Sequence, residues 1–490
     1  MNYCRVGKGY LARFFLVILI VLYSGTVWAV ETQPEQPALS QAQAEEEALA
    51  QEKPLEKPPE VLPKYDSGVT PFASYAPYTT TFGPGPATGS LAPYGYGGAE
   101  DTLQRGWASH KLGPVRIYPY FEYDALFRTN VFQTYSNKKS DFVNMLSPGI
   151  RLELPVAGRH RLSLGYLGNA YLYSRFSDNS HYDQNVNADA ALNFSKLSLG
   201  LGAAYRHATE EASLLQTGPT FTFDEQRVYN RVTPYFKAAY KMADLWRLET
   251  NYQFDSFSYA KEIYRFNDYN SHTAGATVFY KFWPKTSVLL QYIANVLTHP
   301  NNSPSNYVVQ TPMVGLSWEP TAKISGTVKV GYSITNYYNS DVGSRGFSPD
   351  GLALSVQALY KLSRYTQMSL VAQRALQEDV NFTNNLFGNN SYFNTGLLFT
   401  VNHLWHYFNV TSYLSCAYYN NHYIFNNFDP GTGQLKNRDD NIIYAGGGLS
   451  RPVTKWLRLR LDYLYYNRGS NFSFYSFNEH KVLLGVQTSF

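Results

Sequence analysis

Cysteine is nearly missing from this 490-residue sequence, which contains only Cys4 and Cys416. Two cysteines, one of them in a segment that we expect to be removed, exclude a disulfide framework. Cys416 falls at an apolar-phase position of a predicted strand, so we interpret it as a small packing residue. The fold must therefore be stable without covalent cross-links.

Long apolar runs are missing everywhere except near the N-terminus. There, Arg5, Lys8 and Arg13 precede the run FFLVILIVLYSGTV, and a Val-Trp-Ala motif follows at 27–29. A basic start, a short apolar run and a small-residue cleavage site predict a secretory signal peptide over residues 1–29. A helix that crosses a bilayer would need about 20 apolar residues, so we favour the signal peptide over an uncleaved anchor. The chain is therefore expected to be exported.

Residues 30–112 lack the hydrophobic periodicity of a folded domain. Pro, Gln, Glu and Ala dominate ETQPEQPALSQAQAEEEALAQEKPLEKPPEVLPK, and Gly, Pro and Tyr dominate PFASYAPYTTTFGPGPATGSLAPYGYGG. Such compositions cannot bury a core, so we predict a disordered periplasmic tail. A simple tether is the preferred interpretation, and a docking tail or a plug of the lumen is the alternative. Because this tail is acidic, the rest of the exported chain is more basic than the net charge of +4 suggests.

From about residue 113 to Phe490 the sequence alternates between apolar and polar residues, as strands with two different faces do. In WLRLRLDYLYY the leucines and tyrosines occupy one face, and Arg458, Arg460 and Asp462 occupy the other. Short turns such as PVAGR and MADL alternate with long polar connections such as THPNNSPSN. Each interval between short turns therefore holds one strand, a long loop and a returning strand.

This arrangement predicts an all-β fold, a transmembrane antiparallel up-and-down β-barrel of about 18 strands (16–18) over residues 113–490. In hydrocarbon each unpaired backbone group costs several kcal/mol, so a membrane sheet must close on itself. A solenoid would not alternate short and long connections. The even strand number predicts that both termini are periplasmic. The barrel pattern itself predicts that the protein lies in the outer membrane of a Gram-negative bacterium.

Tryptophan is infrequent, with 7 residues in all, but its positions are informative. Five tryptophans lie within a few residues of a predicted short turn, namely Trp246, Trp283, Trp318, Trp405 and Trp456. Indole rings prefer the membrane interface, so we predict that these residues form a periplasmic aromatic girdle. The last strand ends on Phe490, which resembles the C-terminal signal that the barrel insertion machinery recognises.

Recognisable patterns for catalysis, cofactors and metal binding are missing. His403 and His406 form an HxxH pair, but they fall at a predicted turn without a strong third ligand. We therefore assign this pair a structural role. The expected protein is not an enzyme, binds no cofactor or metal, and has no nucleic-acid partner.

A barrel of about 18 strands is wide enough for an aqueous lumen, so function is expected to depend on the side chains that line it. Strand phase predicts lumen-lining basic residues, which are Arg151, Arg161, Arg206, Arg231, Lys237, Arg247, Lys329, Arg458 and Arg460. It predicts fewer lumen-lining acidic residues, which are Glu153, Glu249, Asp255 and Asp462. This basic excess favours anions. For any single residue, an ion pair that only supports the wall is an equally good explanation.

The first third of the predicted barrel resembles a known family. The segments PYFEYDALFRTNVF, LSPGIRLELP, RHRLSLGYLGNAYLY and LNFSKLSLGLGAAYRH, over about residues 117–210, are similar to an outer-membrane β-barrel porin family. Members of that family are often encoded beside exopolysaccharide and capsule synthesis proteins. The resemblance implies a passive conduit for a secreted polysaccharide that works with a periplasmic polysaccharide export protein. Its other expected partners are outer-membrane lipid and the barrel insertion machinery.

Two functions therefore stay open. Polysaccharide export suits a lumen with aromatic, amide and basic side chains, and Tyr229, Tyr235, Asn251, Gln253 and Tyr413 face inward by phase. A general or anion-selective solute porin is the alternative. A solute porin should have a long constricting loop folded into the barrel, for which residues 210–226 and 421–439 are the candidates.

Overall fold

The structure is a computed structural model that describes residues 110–210, 226–301, 306–338, 350–378, 391–429 and 431–490. The predicted signal peptide lies outside these residues. So does the predicted tail, except for its last 3 residues, which form a short strand. No helix in the described ranges is long and apolar enough to cross a membrane.

The described chain is almost entirely β-strand. Its strands are β1 His110–Leu112, β2 Val115–Arg128, β3 Asp141–Val156, β4 His160–Tyr173, β5 His181–Asn193, β6 Leu197–Glu210, β7 Arg227–Lys241, β8 Trp246–Tyr259, β9 Tyr269–Trp283, β10 Thr286–Thr298, β11 Tyr307–Trp318, β12 Ile324–Tyr337, β13 Gly351–Lys361, β14 Thr366–Glu378, β15 Ser391–Trp405, β16 Val410–Phe428, β17 Leu435–Pro452, β18 Leu457–Ser470 and β19 Phe477–Ser489. Each strand pairs antiparallel with the next, and β19 pairs with β2. Strands β2 to β19 thus form the closed 18-stranded up-and-down barrel that the sequence predicts.

The two faces of this barrel have inverted polarity compared with a soluble protein. On β18, the exposed side chains are Leu459, Leu461 and Tyr463, whereas Asp462 between them is buried. Charged and amide side chains are buried on the other face of many strands. An exposed apolar face suits hydrocarbon, and closure leaves no unpaired strand edge within the lipid. Cys416 is exposed and lies on this apolar outer face of β16.

The short connections of the barrel all lie at one rim, which we call the short-turn rim; the opposite end is the long-loop rim. The short-turn rim carries the start of β2 and Phe490. The tryptophans predicted to form a girdle also lie there, at Trp246, Trp283, Trp318, Trp405 and Trp456. The ring of Phe490 stacks on Trp456 with centroids 6.3 Å apart. The C-terminal aromatic residue therefore extends the row of tryptophans at the strand pair that closes the barrel.

A second row of polar aromatic contacts surrounds the exposed face towards the long-loop rim. In seven of the hairpins, a tyrosine hydroxyl lies 2.6–2.9 Å from a polar side chain of the adjacent strand; the pairs are Tyr123–Asn144, Tyr166–Tyr182, Tyr205–Asn230, Tyr252–His272, Tyr292–Gln310, Tyr418–Asn441 and Tyr463–His480. The polar partner lies near the start of the returning strand in six of these hairpins. Tyrosine prefers a membrane–water interface. We place the second boundary of the hydrocarbon at this row.

Candidate functional site on the inner face

The inner face of the barrel is identified by contacts that skip a strand. Arg460 on β18 reaches across Gly485 on β19, and its Nη2 lies 3.2 Å from Oδ1 of Asp124 on β2. A Cβ atom at position 485 would lie 2.4 Å from that same carboxylate oxygen. Side chains two strands apart converge in this way on the concave side of a curved sheet. The face that carries Arg460 and Asp124 is therefore the lumenal one.

The register places every predicted lumen-lining residue on this concave face. Arg206 lies directly opposite Arg231, and Gly315 lies directly opposite Lys329. The remaining members follow by alternation along their strands; they are Arg151, Arg161, Lys237, Arg247, Arg458 and Arg460 together with Glu153, Glu249, Asp255 and Asp462. Alternate side chains of each strand therefore face the lumen, because the inner face of a closed barrel is the only alternative to its outer face.

Most of these charges are brought together as ion pairs between neighbouring strands or along one strand. Arg231 binds Asp255 through Nε and Nη2 at 2.8 and 2.7 Å. Looser contacts join Arg247 to Glu249 at 3.1 Å and Arg161 to Glu153 at 3.7 Å. Three of the predicted basic residues have other neighbours. Arg151 covers the ring of Tyr118, Lys237 lies near the ring of Tyr235, and Arg458 interacts electrostatically with Glu122.

The two members of each pair are not equally exposed. Side-chain exposure of the base and of its acid is 59% and 17% for Arg161–Glu153, 35% and 7% for Arg247–Glu249, 28% and 1% for Arg206–Asp183, 22% and 1% for Arg231–Asp255, and 12% and 1% for Arg460–Asp462. In all of these the carboxylate is close to the wall, and the cation is the accessible partner. The lumen surface is therefore more positive than the number of charges alone would indicate.

Arg460 has the most acidic surroundings of the predicted basic residues. Its guanidinium lies 3.2 Å from Glu122, 3.2 Å from Asp124 and 2.8 Å from Asp462. These contacts connect β18 to β2 across the closing strand pair. Sequence reasoning predicted Arg460 and Asp462 but missed the two acids of β2. Alternation along FEYDALFR would have found both.

Sequence reasoning also missed a buried ionic cluster near the long-loop rim. Arg438 and Arg468 both contact Asp440, and Arg438 is covered by the rings of Tyr423 and Tyr475 at 4.6 and 3.7 Å. Arg128 binds Glu479 at 2.5 Å across the β2–β19 junction. Both partners of these pairs are fully buried, so they differ from the exposed cations nearer the short-turn rim. Counting every second residue from Arg458 along β18 would have reached Arg468.

One connection of the barrel folds inward. In the segment 129–140 between β2 and β3, Val131 and Phe132 are buried and pack with Leu126, Tyr171 and Leu464 on the inner face. The ring of Phe132 contacts Phe176 of the next long connection edge-on, with centroids 4.8 Å apart. Asn130 holds the segment through Nδ2, which donates to the carbonyl groups of Thr134 and Asn478 at 2.8 and 3.1 Å.

The far side of the lumen is narrowed by an aromatic cluster. Leu376 and Phe393, at the end of the β14–β15 hairpin, pack with Tyr307 and Val309 on the inner face of β11. The hydroxyl groups of Tyr337 and Ser391 lie 3.1 Å apart. The candidate constricting segment 421–439 forms the extended ends of β16 and β17, and its Ile424 packs against the same cluster; residues 211–225 lie outside the described part of the chain.

The aromatic side chains near this cluster cover one another. Tyr229, Phe257 and Tyr269 stack side by side on β7, β8 and β9, with centroids 4.8 and 5.2 Å apart. The stacked rings cover one another's faces, so this part of the wall presents ring edges to the lumen. Tyr235 donates a hydrogen bond to Asp189. These tyrosines therefore support the wall rather than offering flat stacking platforms.

The lumen wall is divided into an ionic and a neutral part. The strands from β17 through β19 and β2 to β8 carry all of the ion pairs described above. On the inner face of β9 to β15, the only charged side chains that alternation identifies are Lys329 and the rim residues Lys281 and Lys361. Hydroxyl and amide groups bond to one another there, as in Asn295 with Ser271 and Thr311 with Ser333, at 2.8 and 3.0 Å. We call these inner-face residues the neutral arc.

The HxxH pair lies at the short-turn rim with ordinary structural contacts. Nδ1 of His403 lies 2.8 Å from the hydroxyl of Thr366, and the ring of His406 stacks on Tyr365. Within the described ranges, no group of three or more His, Cys, Asp or Glu residues could hold a metal ion.

No curated protein matches this sequence. Similar solved structures include the outer membrane protein OpdK of Pseudomonas aeruginosa, which is 11% identical with a TM-score of 0.41, covering 76% of this chain and 99% of that chain. OccK2 (OpdF) of P. aeruginosa is 11% identical (TM-score 0.42; 76% and 98% covered), and OccAB3 of Acinetobacter baumannii is 12% identical (TM-score 0.40; 77% and 99% covered).

The family comparison covers the whole barrel. The model described as "Putative beta-barrel porin 2" matches residues 110–490, from the short strand β1 to the terminal Phe490. Together with the closed barrel and its polar lumen, this match shows that the chain belongs to that porin family and is an outer-membrane β-barrel channel.

Proposed function

We propose that the barrel is a diffusion channel for small anionic solutes. The observation that carries this proposal is the unequal exposure within the lumenal ion pairs, where the base is accessible and its acid is close to the wall. Such an arrangement lowers the barrier for anions even when acids and bases are similar in number. The acids position the cations, and the cations provide the potential that a solute meets.

The inward segment 129–140 favours a small solute over a polymer. A long connection folded against the inner wall is the feature that a solute porin was expected to have. Its apolar residues Val131 and Phe132 pack near the long-loop rim, opposite the aromatic cluster that holds Leu376 and Phe393. An extended polymer would have to pass between these two elements throughout its export.

Ion selectivity tests the proposal directly. The full-length mature chain is reconstituted in planar bilayers, and the reversal potential is measured in a potassium chloride gradient. We expect chloride to be favoured over potassium, and Arg247→Gln to reduce this preference. Arg451→Gln is the matched control, because Arg451 lies at the same rim but on the exposed face, opposite Leu459. A cation preference, or equal effects of both substitutions, would contradict the proposal.

Polysaccharide export remains a second candidate, and the neutral arc favours it. Hydroxyl and amide groups on neighbouring strands could exchange hydrogen bonds repeatedly with an extended sugar chain. In this proposal both chain termini and the short-turn rim are periplasmic, and a periplasmic export protein delivers the polymer to that rim. Deleting the gene and measuring surface and periplasmic polysaccharide separates the two functions. Loss of surface polymer with continued synthesis would support export. An unchanged surface polymer would exclude export and leave the solute channel as the proposed function.

A further inference from the structure

The partly exposed side chains of the lumen differ sharply between its two parts. Towards the short-turn rim, the ionic part presents cations such as Arg161 and Arg247. At similar heights, the neutral arc presents half-buried hydroxyl and amide groups of Ser325, Ser355, Ser369, Thr327 and Gln373. The strand order places β12 to β14 far from β4 to β8 around the closed sheet.

The register makes the neutral surface continuous. Ser355 on β13 lies directly opposite Gln373 on β14, and Thr327 on β12 lies opposite Gln357 on β13. Ser369 is opposite Thr400, whose hydroxyl lies 3.2 Å from that of Ser415. A solute that moves along this surface therefore meets hydroxyl and amide groups on every strand.

We propose that the preferred solutes are small hydroxylated carboxylates. This inference rests on the proposed anion channel and names its solute class. A carboxylate is attracted by the accessible cations of β4 to β8. A hydroxylated carbon chain can replace the water on the neutral arc with hydrogen bonds of its own. An alkyl chain of equal length displaces the same water without replacing those bonds, so the wall groups lose partners.

Alternation places no basic side chain on the inner face of β13 and β14 away from the rim, which adds a reason for this choice. A solute with two distant carboxylates would place one of them against Ser369 or Gln373, and the charged side chain that alternation places beside this surface, away from the rim, is Lys329, directly opposite Ser355. A neutral polyol would gain nothing from Arg161 or Arg247. One negative charge on a hydroxylated chain is the chemistry that suits both parts of the wall, which a diffusing solute can contact in turn.

The test compares two anions of the same charge and chain length, gluconate and hexanoate. Reversal potentials are measured at neutral pH with sodium gluconate on one side of the bilayer and sodium hexanoate on the other. We expect gluconate to be about threefold more permeant, although it is the larger ion, as the loss of roughly one hydrogen bond would predict. The double variant Ser355→Ala and Ser369→Ala should bring the ratio close to one.

The matched control removes two hydroxyl groups from the ionic part of the wall. Ser163 on β4 and Ser198 on β6 are also half-buried on the inner face, and replacing both by alanine should leave the gluconate preference intact. A channel that favours chloride over potassium but conducts hexanoate as well as gluconate would overturn this inference alone. Loss of the gluconate preference in the control variant would also overturn it. A channel without anion preference would instead overturn the proposed function.

Discussion

Replacing Arg460 should destabilise the closed barrel more than replacing any comparable exposed cation. Its guanidinium contacts the three carboxylates of Glu122, Asp124 and Asp462, whose side chains are 4% exposed or less. Arg460→Met keeps the aliphatic bulk of the side chain and leaves these acids without that shared partner. Removing one partner of a buried ion pair costs about 3–5 kcal/mol, and protonation of the acids limits the effect, so we expect about 3 kcal/mol.

Arg161→Met is the matched control for this experiment. Arg161 makes a single contact with Glu153 at 3.7 Å and its side chain is 59% exposed. Exposed pairs contribute about 0–1 kcal/mol, so the control should unfold almost as the parent does. The assay is urea unfolding of the protein refolded into phospholipid bilayers, followed by tryptophan fluorescence and by the mobility shift of the folded barrel on unheated gels.

The contacts with β2 give the experiment a second arm. Adding Asp124→Asn to Arg460→Met removes one of the negative charges that have lost the guanidinium and should restore part of the lost stability. If Arg460→Met unfolds like Arg161→Met, the cluster is not an electrostatic clamp. If Asp124→Asn restores nothing, the loss comes from packing around Gly485 and not from repulsion among the remaining carboxylates.

Three further predictions concern other parts of the barrel. Leu290→Arg, on the exposed face in the middle of β10, should cost about 2–4 kcal/mol in bilayers, whereas Gln310→Arg in the tyrosine row should cost about 0–1 kcal/mol; equal costs in the same urea assay would refute the hydrocarbon boundary placed there. Phe132→Ala should weaken the docking of segment 129–140 by about 3 kcal/mol and give larger, noisier single-channel currents; an unchanged conductance would mean that the segment does not narrow the path. Cys416 should react with a lipid-soluble maleimide in folded barrels and with charged thiol reagents only after unfolding; rapid modification by a charged reagent would place it outside the lipid.

Most of the fold could be predicted from sequence because a membrane barrel obeys few rules. Each strand must alternate with a period of two, each rim must use one class of connection, and the sheet must close. These rules act on neighbouring residues, so the short turns and the 18 strands were recoverable from the chain alone. The orientation of Arg458, Arg460 and Asp462 followed from the same local alternation.

The partners of the lumenal charges could not be predicted in the same way. Arg460 and Asp124 are separated by 336 positions in the chain and meet only because β19 pairs with β2 in one register. The opposition of Arg206 and Arg231 likewise depends on the stagger between β6 and β7. Segment 129–140 has no periodicity from which its inward position could be predicted. Its burial depends on apolar residues of β2 to β4, β18 and β19 that face the lumen.

Side-chain length explains why the sequence count of charges was a weak guide to the lumen. Aspartate and glutamate end two or three bonds from the backbone, whereas arginine and lysine are longer and flexible. When both kinds of side chain point inward from a concave wall and pair, the carboxylate stays near the sheet and the cation extends beyond it. The exposure values of Arg206–Asp183 and Arg247–Glu249 follow this geometry. A barrel with balanced lumenal charges can therefore still present a positive surface, and its selectivity depends on which member of each pair reaches the solute.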